Sequence, residues 1–206
     1  MSAEQPIQIK NAIEKFDFCH AELVVGVVCA VGTNYRPIEN SLQNILRQYG
    51  YSTRTIRVSS LISRFSSKPL LHDPEIDRIS GRMDVGNDVC KDSKRQDIWA
   101  LSAIAEINKA RVRTGIFNRT AHLVFSLKRP AEVATLRKVY GDGFFLVGVF
   151  ATEKERLDYL IEQNAPKADA LKLIARDADE RNEKYGDYGQ HTAETFQLAD
   201  VFVQLR

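Results

Sequence analysis

The feature that most constrains this chain is a nearly unbroken apolar run, Leu23–Val31, close to its amino terminus. A valine-rich run of this kind is typical of a strand buried on both faces of a sheet. Turn residues follow at Gly32–Asn34, and Pro37 suits the start of a helix. The run is only about half the roughly 20 residues that a membrane helix needs. It therefore predicts a buried strand, a loop and a helix in a cytoplasmic protein that does not span a membrane.

Strand and helix patterns alternate along most of the remaining chain. The predicted strands are Tyr51–Val58, His122–Ser126, Phe144–Phe150 and Ala199–Val203. The predicted helices are Ile38–Tyr49, Arg95–Ala110, Ala131–Val139 and Glu153–Ile161. Ser59–Ile79 is predicted to be a loop with short helical pieces, and the polar segment Asp177–Thr192 a mobile flap. This alternation predicts an α/β fold in three layers, with a mainly parallel sheet covered by helices.

Composition indicates one domain of ordinary globular character. The 206 residues are 44% hydrophobic and 27% charged, which is enough to bury a core. We expect a polar segment at 1–21, with a short helix at Ile9–Phe16, before one domain at 22–206. The net charge of +2 is spread along the chain and gives little support to nucleic-acid binding. A basic cluster is interpreted as a solvated face: Arg47, Arg54, Arg57 and Arg64.

The loop after the first strand is the principal candidate site. In a parallel sheet, ligands bind at the carboxyl ends of the strands, and a following helix offers free N–H groups to phosphate. The candidate nucleotide- and phosphate-binding residues are Ala30, Val31, Gly32, Thr33, Asn34, Tyr35 and Arg36. A Walker A loop requires two glycines, a lysine and a Ser/Thr that holds Mg²⁺, where this chain has Cys29, Asn34, Tyr35 and Arg36. A simple tight turn between strand and helix remains the alternative.

Further polar residues follow other predicted strands or precede helices. Lys128 and Arg129 follow the strand His122–Ser126 and are candidates for phosphate contact or plain surface charges. Arg176 is a third phosphate candidate in or beside the predicted flap, with Asp177, Arg181 and Gln190 as neighbours and ordinary salt bridges as the alternative. A set before the helix at Arg95 could contact a ligand or cap that helix: Asp84, Asn87, Lys91 and Arg95.

Neither a catalytic group nor a metal site is predicted from the residues themselves. His20 and Glu22 spell H-x-E, half of the zinc deaminase signature, but no P-C-x-x-C follows. Cys19, Cys29 and Cys90 lack the spacing of a zinc site or a disulfide framework. We therefore interpret His20 as a solvated residue and the cysteines as reduced thiols.

Four blocks together resemble one known family. They are ELVVGVVCAVGT at Glu22–Thr33, RMDVGN at Arg82–Asn87, HLVFSLKRPAEVATLRKVYGDGFF at His122–Phe145, and GQHTAETFQLADVFV at Gly189–Val203. The chain resembles the amino-terminal domain of bacterial phage-defence deoxycytidylate deaminases. In that family a P-loop NTPase domain of the nucleotide kinase-like type precedes a zinc-dependent deaminase domain, so the resemblance implies such a fold here.

The resemblance also implies a function. The complete protein would deaminate dCMP or dCTP, deplete the deoxycytidine nucleotides that a phage needs, and hold Zn²⁺ in a second domain beyond residue 206. We therefore expect this chain to be part of a longer protein, and to be a nucleotide-sensing regulatory domain that is not catalytic alone. Its expected partners are a nucleotide with Mg²⁺, the attached or cognate deaminase domain, a regulatory RNA or protein, and a second copy in a homo-oligomer. The alternatives are a free-standing nucleotide or nucleoside kinase and an interaction or dimerisation module that binds no nucleotide.

Overall fold

The computed structural model describes residues 22–65, 75–114, 119–178 and 185–205. The strands are β1 (Leu23–Cys29), β2 (Ser52–Arg57), β3 (Thr120–Phe125), β4 (Phe144–Phe150) and β5 (Val201–Gln204). The helices are α1 (Arg36–Gln48), α2 (Val58–Ile62), α3 (Glu75–Ser93), α4 (Ile98–Thr114), α5 (Pro130–Tyr140), α6 (Glu153–Glu162), α7 (Lys167–Ala178) and α8 (Thr192–Gln197). Three short 3-10 segments are Ser63–Phe65, Gly141–Gly143 and Gly186–Tyr188. The predicted helix Ile9–Phe16, the residues Cys19 and His20, and Arg181 lie outside the described residues.

The five strands form one sheet in the order β2-β3-β1-β4-β5, and every neighbouring pair is parallel. The prediction of an α/β fold with a mainly parallel sheet is therefore confirmed. From β1 the chain passes to β2 and β3 on one side, and then crosses to β4 on the other. Ligands of open parallel sheets bind where the strand order reverses in this way. This topology directs attention to the carboxyl end of β1.

Apolar side chains cover both faces of the sheet. On one face, Val24 and Val28 belong to a core with Trp99 of α4 and Leu136 of α5. On the other, Val25, Val27, Leu123, Phe125 and Val149 pack against the apolar side of α1. A third cluster joins α3, α6 and α7 through residues that include Ile76, Met83, Leu160 and Leu173. The arrangement has three layers because β1 alternates its valines between two covering layers.

The prediction of a loop with short helical pieces at Ser59–Ile79 agrees with α2 and with the 3-10 segment Ser63–Phe65, but it is wrong from Glu75 onward. Helix α2 begins at Val58, and the 19-residue helix α3 begins at Glu75. Ile76, Met83 and Cys90 recur at seven-residue spacing and are buried in the core, which is the spacing of one helix face. Serine, glycine and aspartate between them lower the local helix propensity, and tertiary packing overrides it. Helix α4 begins at Ile98 rather than Arg95.

The predicted mobile flap at Asp177–Thr192 contains buried residues at both of its ends. Asp177, Tyr185 and Thr192 are only 5%, 3% and 5% exposed. Asp177 belongs to α7, which together with α8 was not predicted, and Gly186–Tyr188 forms a 3-10 turn. Polar composition did not indicate this burial, because these polar groups are buried with hydrogen-bond partners. Within the described ranges, no helix is both long and apolar enough to cross a membrane.

Candidate functional site

A cleft of about 270 Å³ opens beside the carboxyl ends of β1 and β3. Eight of the ten predicted site residues line it: Ala30, Val31, Gly32, Thr33, Tyr35, Arg36, Lys128 and Arg129. The opposite wall comes from α2, α3 and α6 and includes Ile62, Arg78, Ile79, Arg82, Met83, Tyr159 and Leu160. The topology thus brings the loop after β1 and the segment after β3 to one concave site, where the sequence analysis placed a ligand.

The loop after β1 has a tight turn that needs a glycine. The Thr33 N–H donates to the Ala30 carbonyl over 3.2 Å, and Gly32 has a φ of +83°. A Cβ on Gly32 would stand 2.8 Å from the Arg156 carbonyl oxygen. Arg156 in turn donates through Nη1 to the Val31 carbonyl over 3.3 Å. Helix α6 therefore packs directly on the loop and holds its shape.

Asp177 of α7 binds the same loop from a distant part of the chain. Its Oδ2 accepts the Val31 N–H over 2.7 Å, and its Oδ1 lies 3.1 Å from Lys128 Nζ. Lys128 Nζ also donates to the Cys29 carbonyl over 2.8 Å, and the Thr192 hydroxyl donates to Asp177 Oδ1 over 3.4 Å. A lysine from the end of β3 thus lies against the end of β1, next to a carboxylate that is 2% exposed.

Arg129 lines the cleft and also holds its wall together. Its guanidinium donates to Glu132 Oε1 over 3.2 Å, to the Tyr188 carbonyl over 3.2 and 3.3 Å, and to Asn87 Oδ1. Glu132 Oε2 accepts the N–H groups of Lys128 and Arg129 at the start of α5, as the glutamate of a capping box does. Burial raises the pKa of the Glu132 carboxyl, and the Arg129 charge opposes that rise. Arg129 therefore positions α3, α5 and the 3-10 turn around the cleft.

Tyr35 and Arg36 differ in their placement at the start of α1. The Tyr35 ring packs against Phe125, with centroids 5.0 Å apart, so it extends the core. Arg36 is exposed, and its N–H donates to Asn34 Oδ1 over 3.3 Å. Asn34 itself is not among the residues that line the cleft. Arg36 is thus a cationic side chain at the mouth of the cleft.

Arg176 is the other predicted site residue that does not line the cleft. It donates to the Ser80 hydroxyl over 2.6 Å and to Asp84 Oδ1 over 2.7 Å, and so joins α7 to α3. Asp84 also accepts the Tyr185 hydroxyl over 3.2 Å. Asp84, Asn87 and Lys91 lie within α3, so their predicted position before a helix is wrong. Gln190 does line the cleft.

The wall that α3 forms was not predicted from the sequence. This helix lines the cleft with Arg78, Ile79, Arg82 and Met83. Arg78 and Ile79 fell in the predicted loop. The recurrence of Ile76, Ile79 and Met83 was the available signal, because it places Arg78 and Arg82 one turn apart on a shared side of the helix. The cleft is thus bordered by both cationic and apolar side chains.

Two ionisable groups of the cleft that could act chemically are the Glu132 carboxylate and the Cys29 thiol. Glu132 is the one carboxylate among the described residues that line it, and that carboxylate is engaged by Lys128 and Arg129. Mg²⁺ usually keeps several waters and binds through one or two carboxylates and the phosphates of a ligand, so Mg²⁺ would enter this cleft together with a phosphate ligand. Burial raises the pKa of the Cys29 thiol, which disfavours the nucleophilic thiolate. In the described part of the chain, no three His, Cys, Asp or Glu side chains group as metal ligands.

Comparison with known proteins gives similarity to solved structures. No family model and no curated protein matches the chain. A gluconokinase from Sinorhizobium meliloti 1021 is 17% identical, with a TM-score of 0.44, over 85% of this chain and 87% of that one. An uncharacterised protein from Eubacterium ventriosum is 8% identical, with a TM-score of 0.41, over 90% and 89%. A candidate fructose transport system kinase from Silicibacter sp. is 12% identical, with a TM-score of 0.44, over 94% and 96%. Similarity at these identities concerns the fold and not the activity.

Proposed function

We propose that this chain is a nucleotide-sensing regulatory domain that binds a nucleoside phosphate in the cleft beside β1 and β3. One observation carries the proposal. The cleft joins the loop after the first strand to Lys128, to arginines of α3 and to an apolar wall, all at the edge of the sheet where ligands of this topology bind. The proposal rests on this convergence rather than on any single residue.

The cationic side of the cleft suits a phosphate group. Lys128 and Arg36 approach from the strand ends and α1, and Arg78 and Arg82 from α3. Guanidinium groups bind phosphate oxygens through paired hydrogen bonds, and an ammonium group adds a point charge. With Arg129 the cleft has five cationic side chains and, among the described lining residues, the single carboxylate of Glu132. This balance favours an anionic ligand over a cationic or neutral one.

The apolar side suits the body of the ligand. Ile79, Met83 and Leu160 line the cleft together with the Tyr159 ring. Ligand pockets are mostly apolar, with a few placed polar groups, and range over roughly 300–1,000 Å³. A cleft of about 270 Å³ is near the lower limit of that range. It favours a small organic phosphate such as a mononucleotide.

A sensing role fits the loop better than phosphoryl transfer does. Transfer depends on a loop lysine and a metal-binding hydroxyl placed for the transition state. Here Tyr35 takes the lysine position and packs on Phe125, while Arg36 takes the hydroxyl position. The Val31 N–H is already engaged by Asp177. Binding without efficient transfer is the function that these residues support.

The attached deaminase is the finer part of the proposal, and the sequence resemblance supports it. All four resembling blocks contribute residues to the cleft, and the last two contribute Lys128 and Gln190. The His191 N–H donates to the Lys128 carbonyl over 2.9 Å, which joins these two blocks directly. We propose that occupancy of the cleft controls a zinc-dependent deoxycytidylate deaminase domain on the same or a cognate chain in phage defence. A regulatory RNA or protein and a second copy of the chain are further proposed partners.

A thermal-shift series tests the binding proposal. The purified chain is melted with nucleoside mono-, di- and triphosphates and with the matching nucleosides, each with and without Mg²⁺. A ligand at 100 times its Kd stabilises the native state by about 2.7 kcal/mol, which raises the Tm of a chain of this size by roughly 5–10 °C. We expect a shift with a phosphorylated ligand and none with its nucleoside.

A pair of variants on α1 provides the matched control. Arg36 and Arg47 are both exposed arginines of this helix, but only Arg36 lines the cleft. We expect Arg36→Gln to raise the Kd about 3- to 10-fold, less than a buried charge-assisted contact would, because Arg36 is exposed and water screens its charge. Arg47→Gln should leave the Kd unchanged. If no nucleotide moves the Tm at millimolar concentration, the sensing proposal fails and the interaction-module alternative should be pursued.

A further inference from the structure

Asp177 binds two groups that would be expected to hold a phosphate. Its carboxylate accepts the Val31 N–H over 2.7 Å and lies 3.1 Å from Lys128 Nζ. A loop N–H and a lysine amine are the groups that bind phosphate oxygens after a first strand. A carboxylate also presents two anionic oxygens. The protein thus places its own anion against the loop, from a residue 146 positions further along the chain.

The groups that Asp177 binds are the ones that a ligand could reach. Val31 and Lys128, which Asp177 binds, both line the cleft, whereas Asp177 does not. Lys128 therefore lies between the cleft and the carboxylate, with 13% of its side chain exposed. A phosphate that binds Lys128 or the Val31 N–H competes with Asp177 for the same hydrogen-bond donors.

Asp177 also connects the loop to later elements. It lies in the last turn of α7, and its Oδ1 accepts the hydroxyl of Thr192, the first residue of α8. Helix α8 leads directly into β5. Loss of the contacts between Asp177 and the loop would therefore alter the restraint on α7 and on the start of α8.

We infer that Asp177 is an internal competitor for the phosphate of the cleft's ligand, so that ligand binding and release of the Asp177 contacts are coupled. This inference rests on the proposed function. Because such coupling is reciprocal, whatever stabilises the Asp177 contacts weakens ligand binding by the same factor. The structure with Asp177 bound to the loop is accordingly the low-affinity state.

Neutralising the carboxylate tests the competition. Asp177→Asn keeps an oxygen that can accept the Val31 N–H but removes the negative charge. Asp169→Asn is the matched control, since Asp169 lies on the same helix and is 46% exposed in an ion pair with Lys172. Affinities for inorganic phosphate, pyrophosphate and the nucleotides of the thermal-shift series are measured by titration calorimetry, with circular dichroism melts to confirm folding.

We expect Asp177→Asn to bind pyrophosphate at least about tenfold more tightly than wild type, because one charge-assisted hydrogen bond accounts for at least that factor. Asp169→Asn should bind as wild type does. Equal affinities for the two variants would overturn the inference while leaving nucleotide binding by wild type intact. If wild type binds nothing and Asp177→Asn binds pyrophosphate, competition is supported and the sensing function is not; binding by neither refutes both.

A measurement on the wild-type chain covers the case in which Asp177→Asn does not fold. The Asp177 carboxyl carbon and the Val31 amide are followed by NMR during titration with the best nucleotide or with pyrophosphate. We expect both resonances to shift with the same midpoint as the cleft is filled. If the ligand saturates the cleft and the Asp177 carboxyl signal does not move, the inference is refuted.

Discussion

Replacing Arg129 with methionine should strongly destabilise the protein, because it leaves a buried carboxylate without its cation. Arg129 and Glu132 have side-chain exposures of 3% and 1%, and their charged atoms lie 3.2 Å apart. Removing one partner of a buried pair typically costs about 3–5 kcal/mol. Arg129→Met also removes the donors that satisfy the Tyr188 carbonyl and Asn87 Oδ1. We therefore expect a loss of about 3–5 kcal/mol, which lowers the Tm by roughly 6–20 °C for a chain of this size.

The double variant separates the ion pair from the loss of arginine packing. Glu132→Gln removes the charge but keeps an oxygen for the N–H groups of Lys128 and Arg129. If the buried charge dominates, Arg129→Met with Glu132→Gln should be more stable than the sum of the two single losses predicts, by about 1–3 kcal/mol. Urea denaturation followed by circular dichroism gives all four free energies of unfolding.

The pH dependence offers an independent check of the same reasoning. Burial raises the folded-state pKa of Glu132, and Arg129 limits that rise. In Arg129→Met the folded pKa rises further while the unfolded pKa keeps its ordinary value. The favourable contribution of a group with a raised folded pKa is present below the unfolded pKa and lost as the pH rises through the folded pKa. The difference in unfolding free energy between wild type and Arg129→Met should therefore be largest at neutral and alkaline pH and shrink on acidification. A loss below about 1 kcal/mol at pH 7, or a deficit that grows on acidification, would refute the reasoning.

Three further predictions concern other parts of the fold. Gly32→Ala should lower the free energy of unfolding by about 2 kcal/mol or more, since a left-handed backbone alone costs roughly 1–2 kcal/mol and the new Cβ meets the Arg156 carbonyl at 2.8 Å. Gly186 also has a positive φ but open space around it, so Gly186→Ala should lower it by only about 1 kcal/mol. Equal losses in urea denaturation would contradict the clash at Gly32. Burial lowers the pKa of His122, and hydrogen bonds from Arg111 and His122 outweigh burial to lower that of Glu22. Stability should therefore fall as the pH drops below about 6.5, with a shallower fall between pH 6.5 and 5 in His122→Gln; parallel curves would be contrary evidence. Burial also raises the pKa of the Cys90 thiol to about 11, so a disulfide reagent at pH 8 should modify Cys90 in urea but not in the native protein, as peptide mass spectrometry would show.

The first half of the site could be predicted because its signals are local. Leu23–Cys29 is apolar at every position except Gly26, and such a run is typical of a buried strand. Lys128 and Arg129 were found by the same logic, since they follow an apolar strand whose end must meet that of β1. Propensity and periodicity were sufficient here because the same segment carried both the fold signal and the site residues.

The other half depends on contacts between distant segments. Helix α3 was hidden because its serine, glycine and aspartate residues lower local propensity, while its stabilising contacts come from residues such as Leu160 and Leu173 far along the chain. Asp177 looked like part of a solvated flap because no sequence pattern indicates that a carboxylate will accept the N–H of Val31. Arg176, its neighbour, points to Ser80 and Asp84 instead of the cleft for the same reason. Side-chain partners across more than 90 residues are set by the packed fold.

The strand order has a consequence for how the chain must be made. β1 lies at the centre of the sheet, but its first partner in the sequence is β3, and Leu23 pairs with Ala121, which is 98 residues further along. Among the described strands, β2 pairs with β3 alone. At a synthesis rate of about 5–20 residues per second, the apolar run Leu23–Cys29 therefore has no strand to pair with in the nascent chain for roughly 5–20 s. During that interval it is an aggregation-prone segment, and expression at lower temperature or with added chaperones should raise the soluble yield.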